Sequence, residues 1–281
     1  MFIFTIHDKT KLIIRLNKMI ILIFSYDIIE LGVIRVNDFI TFECLDKLNI
    51  KNAFTGKPYD FSDQNNDRIS DISKLLSIDI NKVYQANQTH SSNIEVVLEN
   101  DDVNSVKFNN VDGLLTNVKG VTLLIKVADC QGIFLYDPVN EVIGNIHSGW
   151  KGTADKIIIK AIDRMVLEYG SNLSDIIVCI NPCIQGCHFE IEEDVLNIFK
   201  EKFGILINDF LLEGKIKDGK QKYYLDLVNL NKELLIEYGL NKENIHLSKE
   251  CTVCENNKYH SYRADKTPKR NGCVISLSNN I

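Results

Sequence analysis

Three residues of this sequence have the right types for metal or nucleophilic chemistry. They are Cys130 in Ala-Asp-Cys, His147 at the end of an apolar run, and His90 in the polar stretch Gln-Thr-His-Ser-Ser-Asn. A thiolate and neutral imidazoles together suit zinc, whereas a thiol beside a single imidazole also suits a nucleophilic pair. A third reading makes Cys130 a small buried hydrophobe and His147 a hydrogen-bonded residue at a strand end. The Cys130–His147 pair alone is compatible with all three.

The elements that must carry these residues follow from pattern. Apolar runs 132–136 and 142–147 flank Asp-Pro-Val-Asn-Glu, which predicts an antiparallel hairpin with a five-residue loop. With Tyr136 facing Val142, Gln131 lies opposite His147 and Cys130 one position away, so a bulge at Gly132 is needed to bring the thiol to the imidazole's face. After His147 the chain turns through Gly149 and Gly152, and a helix starts at Thr153 or Asp155. Backbone N–H groups near that start, with Lys151 beside them, suit an anion; the competing reading is a tight turn anchored by Trp150. Arg263, in Ser-Tyr-Arg-Ala-Asp, is a further candidate anion ligand or else the ion-pair partner of Asp265.

Strands are expected at 20–24, 39–44, 93–98, 121–127, 132–136, 142–147, 175–180 and 273–277. Helices are expected at 67–77, 155–170, 191–204 and 225–239, the last three closed by Gly170, Gly204 and Gly239 in the left-handed conformation. Hairpin-spaced strands mixed with separate helices point to α/β layering of the mixed α+β kind. With 45% hydrophobic residues and no repeats, residues 1–281 read as one domain.

A net charge of −6 and the lack of a basic stripe argue against nucleic acid as partner. The apolar N-terminus is broken by charges, so neither a signal peptide nor a membrane span is expected, and the expected address is cytoplasmic. Met19 is an alternative start, with 1–18 an extension. Eight cysteines without an export signal read as thiols or metal ligands. His-Phe-Glu at 188–190 and Cys-Thr-Val-Cys at 251–254 match zinc nucleobase deaminases poorly, since no proline precedes Cys251. Pro-Cys-Ile-Gln-Gly-Cys at 182–187 lacks zinc-ribbon spacing and reads as buried thiols or thiols lying behind a metal's own ligands.

Six ordered segments resemble the YfiH family, also called laccase-domain or multicopper polyphenol oxidase proteins and regarded as purine nucleoside phosphorylases. They are QTHSSNI, DGLLTNVKGVTLLIKVADCQGIFLYDP, IGNIHSGWKGT, NPCIQGCHFEIEEDV, YYLDLVNLNKELLIEYGL and CTVCENNKYHSYRADKTPKRNGCVISL. The resemblance implies a layered sandwich of mixed β-sheets flanked by helices, and one zinc bound by His90, Cys130 and His147. It also implies phosphorolysis of adenosine, inosine, guanosine and methylthioadenosine, and hydrolytic deamination of adenosine. Three protein ligands leave a fourth position open for Lewis-acid chemistry. Phosphate would rest on Gly149, Lys151 and Arg263, and Lys57 stands where many relatives carry arginine. Relatives also carry an aromatic where His188 stands. Copper chemistry of the multicopper kind needs about ten histidines, and this chain has six. A closed, non-catalytic zinc or thiol-redox site, with a fourth thiol beside the trio, is the reading from another class.

Overall fold

Two central β-sheets lie face to face, and alternation along their strands decides what each face meets. In Val142–Ser148, Ile143, Asn145 and His147 point between the sheets, while Val142 and Ile146 point outward onto helices. The computed structural model describes residues 39–278 apart from 58 and 63–66, and before them only Thr5–Ile6, Leu12–Leu16, Met19–Leu22, Tyr26–Glu30 and Val33–Val36. Met1 and residues 23–24 of the strand expected at 20–24 lie outside the described residues.

The first sheet has the order Ile245–Leu247, Ile177–Ile180, Gln131–Asp137, Val142–Ser148, Gly113–Thr116, Ile94–Val96. The second runs Tyr26–Glu30, Val33–Val36, Phe39–Phe42, Lys51–Thr55, Asn271–Ser276, Thr122–Val127, Val83–Gln85. Both mix parallel and antiparallel pairs. Leu114, Leu123, Phe134, Ile143 and Ile275 fill the space between them. Asn145 crosses that space, its Nδ2 donating to the carbonyls of Leu123 and Cys273 at 2.9 Å each. Helices Ile157–Tyr169 and Leu227–Tyr238 cover the outer face of the first sheet, and Asp67–Leu76 covers the second. This is the layered, helix-flanked sandwich expected from the sequence. Met165 is fully buried under the first helix layer, as its position in the helix pattern predicts. Among the described residues no helix is long and apolar enough to cross a membrane.

Three local expectations need correction. The hairpin pairs Tyr136 with Ile143 and Gly132 with His147, one residue away from the predicted register. Asp137 accounts for the shift: it is fully buried and extends the strand, and its carboxylate accepts from the N–H groups of Val139 and Asn140, leaving a four-residue loop over 138–141. The helix expected to start at Thr153 or Asp155 and run to 170 spans Ile157–Tyr169, and a separate short helix, Trp150–Ala154, precedes it, the two split where Lys156 takes φ 54°. Gly170 and Gly239 adopt the left-handed conformation, but Gly204 has φ 58° with ψ −133° and leads into a 3₁₀ segment, Gly204–Phe210.

Candidate functional site

Register across three strands assembles the site at one end of the first sheet. Gly113 pairs with Ile146, so one step further Asp112 lies opposite His147, whose N–H donates to the Asp112 carbonyl at 2.7 Å. On the other side Gly132 pairs directly with His147, and no bulge intervenes. Cys130 reaches the imidazole from just outside the strand, because Asp129 takes φ 81° and redirects the chain. His90 itself has φ 60°. Such conformations cost non-glycine residues on the order of 1–3 kcal/mol and persist where the surroundings over-determine them.

The surroundings do so here through Asp112. Its Oδ1 accepts from the His90 N–H at 3.0 Å and from His147 Nδ1 at 2.7 Å. Its Oδ2 accepts from the N–H groups of Thr89 (3.2 Å) and Ser91 (2.7 Å) and from the Ser91 hydroxyl (2.6 Å). Burial alone would raise this carboxyl, but donors from His147 and Ser91 hold it down at about 2. An ionised carboxylate only accepts, so Nδ1 of His147 carries the proton and Nε2 is left as its metal-binding face.

His90, Cys130 and His147 present donor atoms that all lie within 4.8 Å of one another. The Cys130 sulfur is 3.9 Å from His90 Nε2, and the two imidazole rings meet edge to face at 4.8 Å. Burial works against the Cys130 thiolate, yet the neighbouring His147 and His90 bring the thiol down to about 6. Burial likewise works against the His147 cation, but the Cys130 thiolate and Asp112 lift the imidazole to about 9. His147 would give up that proton on taking a metal, and one soft and two borderline donors backed by a carboxylate are a set that would suit zinc. Gly149 explains part of the glycine-rich turn: a Cβ there would stand 2.9 Å from His90 Cδ2 and 3.1 Å from the Cys130 sulfur.

The trio lines a cleft of about 730 Å³, large enough for a small-molecule ligand. Phe61, Phe189 and Tyr262 supply apolar wall, and Arg263, Arg270 and Lys126 supply positive charge. Arg263 does not pair with Asp265. Its guanidinium donates to the carbonyls of His188 (3.0 Å) and Glu190 (3.2 Å) and lies over the Phe189 ring. Asp265 is instead engaged by Lys57 at 3.4 Å and by Asn256. Neither Lys57 nor Lys151 lines the cleft: Lys57 also donates to the Asn256 carbonyl, and Lys151 lies exposed over Trp150.

A family model described as multi-copper polyphenol oxidoreductase laccase matches residues 44–278. The solved structure of Bacillus licheniformis hypothetical protein YfiH superposes with a TM-score of 0.77 at 26% identity, covering 87% of this chain and 98% of that one. This chain belongs to the YfiH family. Purine nucleoside phosphorylase YlmD of Bacillus subtilis (strain 168) is 31% identical over 200 residues, 69% of this chain and 70% of that protein. Adenosine deaminase RL5, from an unknown prokaryotic organism, is 29% identical over 194 residues, 67% of this chain and 72% of that protein.

The laccase description of the YfiH family finds no multicopper ligand set among the described residues. Of their histidines only His90 and His147 face the cleft; His188 lies among cysteines, His246 beside Cys44, and His260 donates to the Tyr59 carbonyl. Asp112 went unassigned in the sequence reading, although an aspartate between Val111 and Gly113-Leu114-Leu115 is a buried charge in need of partners. Arg270 and Lys126 were also missed, and nothing in their spacing separates them from surface cations.

Proposed function

We propose that this chain is a zinc-dependent purine nucleoside phosphorylase acting on adenosine, inosine, guanosine and methylthioadenosine, and that it also deaminates adenosine. The observation that carries the reading is the convergence of His90, Cys130 and His147 on the wall of a cleft that also holds arginines and aromatic rings. No fourth Cys, His, Asp or Glu joins the trio among the described residues, which favours an open site over a closed structural one. Zinc, when bound, supplies Lewis-acid polarisation at the position those donors leave free.

The remaining work falls to the chain's own side chains. Phe61, Phe189 and Tyr262 take the purine against apolar surface. Arg263, Arg270 and Lys126 of the cleft wall hold phosphate beside C1′ in place of the lysines expected from sequence, while Gly149, with no Cβ, leaves room for His90 and Cys130. A phosphate oxygen bonds to C1′ as the C1′–N9 bond breaks; the base leaves with the electron pair and takes a proton, and positioning lowers the barrier. Deamination is favoured as a second activity by the relative named adenosine deaminase RL5.

Chromatography of adenosine incubated with purified protein, with and without phosphate, tests both parts. Phosphate-dependent release of adenine and ribose 1-phosphate, lost in His147→Ala, is the expected result. Undiminished activity in that variant overturns the ligand assignment, and release of inosine alone leaves the deaminase and removes the phosphorylase.

A further inference from the structure

Two loops beside the cleft are stitched together by an isolated parallel bridge between Cys183 and Cys251, with the Thr252 N–H donating to the Cys183 carbonyl at 3.1 Å. The bridge carries Cys187 and His188 of one loop up to Cys251 and Cys254 of the other. We propose that Cys187, His188, Cys251 and Cys254 bind a second zinc ion in a closed structural site, separate from the cleft.

The argument rests on donor type, spacing and number. The Cys187 sulfur lies 3.7 Å from the Cys254 sulfur and 3.1 Å from His188 Nδ1. His188 Nδ1 in turn lies 3.7 Å from the Cys251 sulfur and 3.4 Å from that of Cys254. Tetrahedral zinc with Zn–S of about 2.3 Å and Zn–N of about 2.0–2.1 Å sets sulfurs about 3.8 Å apart and sulfur and nitrogen about 3.6 Å apart. The four observed separations, 3.1–3.7 Å, match or fall slightly short of those edges, and all four donors lie within 4.8 Å of one another, close enough to share one ion. Three thiolates and an imidazole select zinc over the hard cations magnesium and calcium. Four protein ligands complete that sphere and leave no position for a reactant. Exposed cysteines gathered this closely, without metal, are a site of oxidation.

The same loops hold part of the cleft. The carbonyls of His188 and Glu190 fix the Arg263 guanidinium, and the Thr252 hydroxyl donates to Asp129 at 2.7 Å, next to Cys130. A metal here clamps the backbone that aims Arg263.

The test measures metal rather than turnover, on the full chain expressed with zinc and purified under reducing conditions without chelator. Elemental analysis is expected to give two zinc ions per chain for the wild type, and one each for Cys130→Ser and for Cys187→Ser/Cys254→Ser. X-ray absorption of Cys130→Ser, which leaves these loops intact, is expected to show three sulfurs and one nitrogen around its remaining zinc. The proposal is overturned if Cys187→Ser/Cys254→Ser keeps all the zinc of the wild type. It is equally overturned if Cys130→Ser holds no zinc or a sulfur-poor one, or if mass analysis of the alkylated wild type finds a Cys187–Cys254 disulfide.

Discussion

Among the described residues, two groups of cysteines and histidines are arranged to hold a metal ion, and they are built differently. The cluster at the end of the first sheet has three donors, on two loops and a strand end, with a buried carboxylate behind it making five hydrogen bonds, two to His90 and His147 and three to Thr89 and Ser91 on either side of His90. The cluster on the 182–188 and 251–254 loops has four donors, and among the described residues no carboxylate is bonded to its histidine ring. A site that must keep a coordination position free needs its few ligands held from behind, whereas a fourth ligand lets a metal hold itself. Asp112 is therefore the feature that separates a candidate catalytic centre from a clamp.

The largest effect that sharpens the contrast is loss of a donor on the open side. Cys130→Ser is expected to lower kcat for nucleoside cleavage about 10³-fold or more, since metal polarisation is worth several kcal/mol. Cys187→Ser/Cys254→Ser is expected instead to act mainly on stability, lowering Tm by several degrees in a thermal melt. Next comes Asp112→Asn, for which competition with a chelator should show zinc affinity at the open site about 10–100-fold weaker. Equal weakening at both clusters would break the comparison. Gly149→Ala is smaller: its φ of −74° suits alanine, so only the new methyl acts, and displacing His90 and Cys130 should cost about tenfold in kcat/KM. Lys57→Met is smallest, since the ammonium is tied to Asp265 and Asn256; phosphate KM is expected to stay within about twofold and stability within about 1 kcal/mol.

How far the sequence could be read depended on how local each signal was. Long apolar runs such as Thr122–Val127 and Gln131–Asp137 announced themselves, and the three donors stood out by residue type beside them. Three-residue strands such as Val83–Gln85 and Ile245–Leu247 are too short for a pattern, and the exposed hairpin of Leu211–Lys217 and Lys220–Leu225 alternates too weakly. The hairpin register slipped because Asp137 looks like a loop residue yet serves as the last rung of the strand. The second cluster stayed hidden for a different reason. Its halves are far apart in sequence, and only the Cys183–Cys251 bridge converts them into neighbours. Lys57 and Lys151 were attractive as charges near glycine, but their engagement elsewhere is a tertiary fact.

Gly132 carries one more implication. It faces Cys273 of the second sheet, and a methyl group there would fall 2.1 Å from the Cys273 sulfur. Positions 132 and 273 are thus free to vary only as a pair: as the lineage diverges, a side chain gained at the first must be answered by a smaller one at the second, or the anchoring strand of the imidazole is pushed out of line.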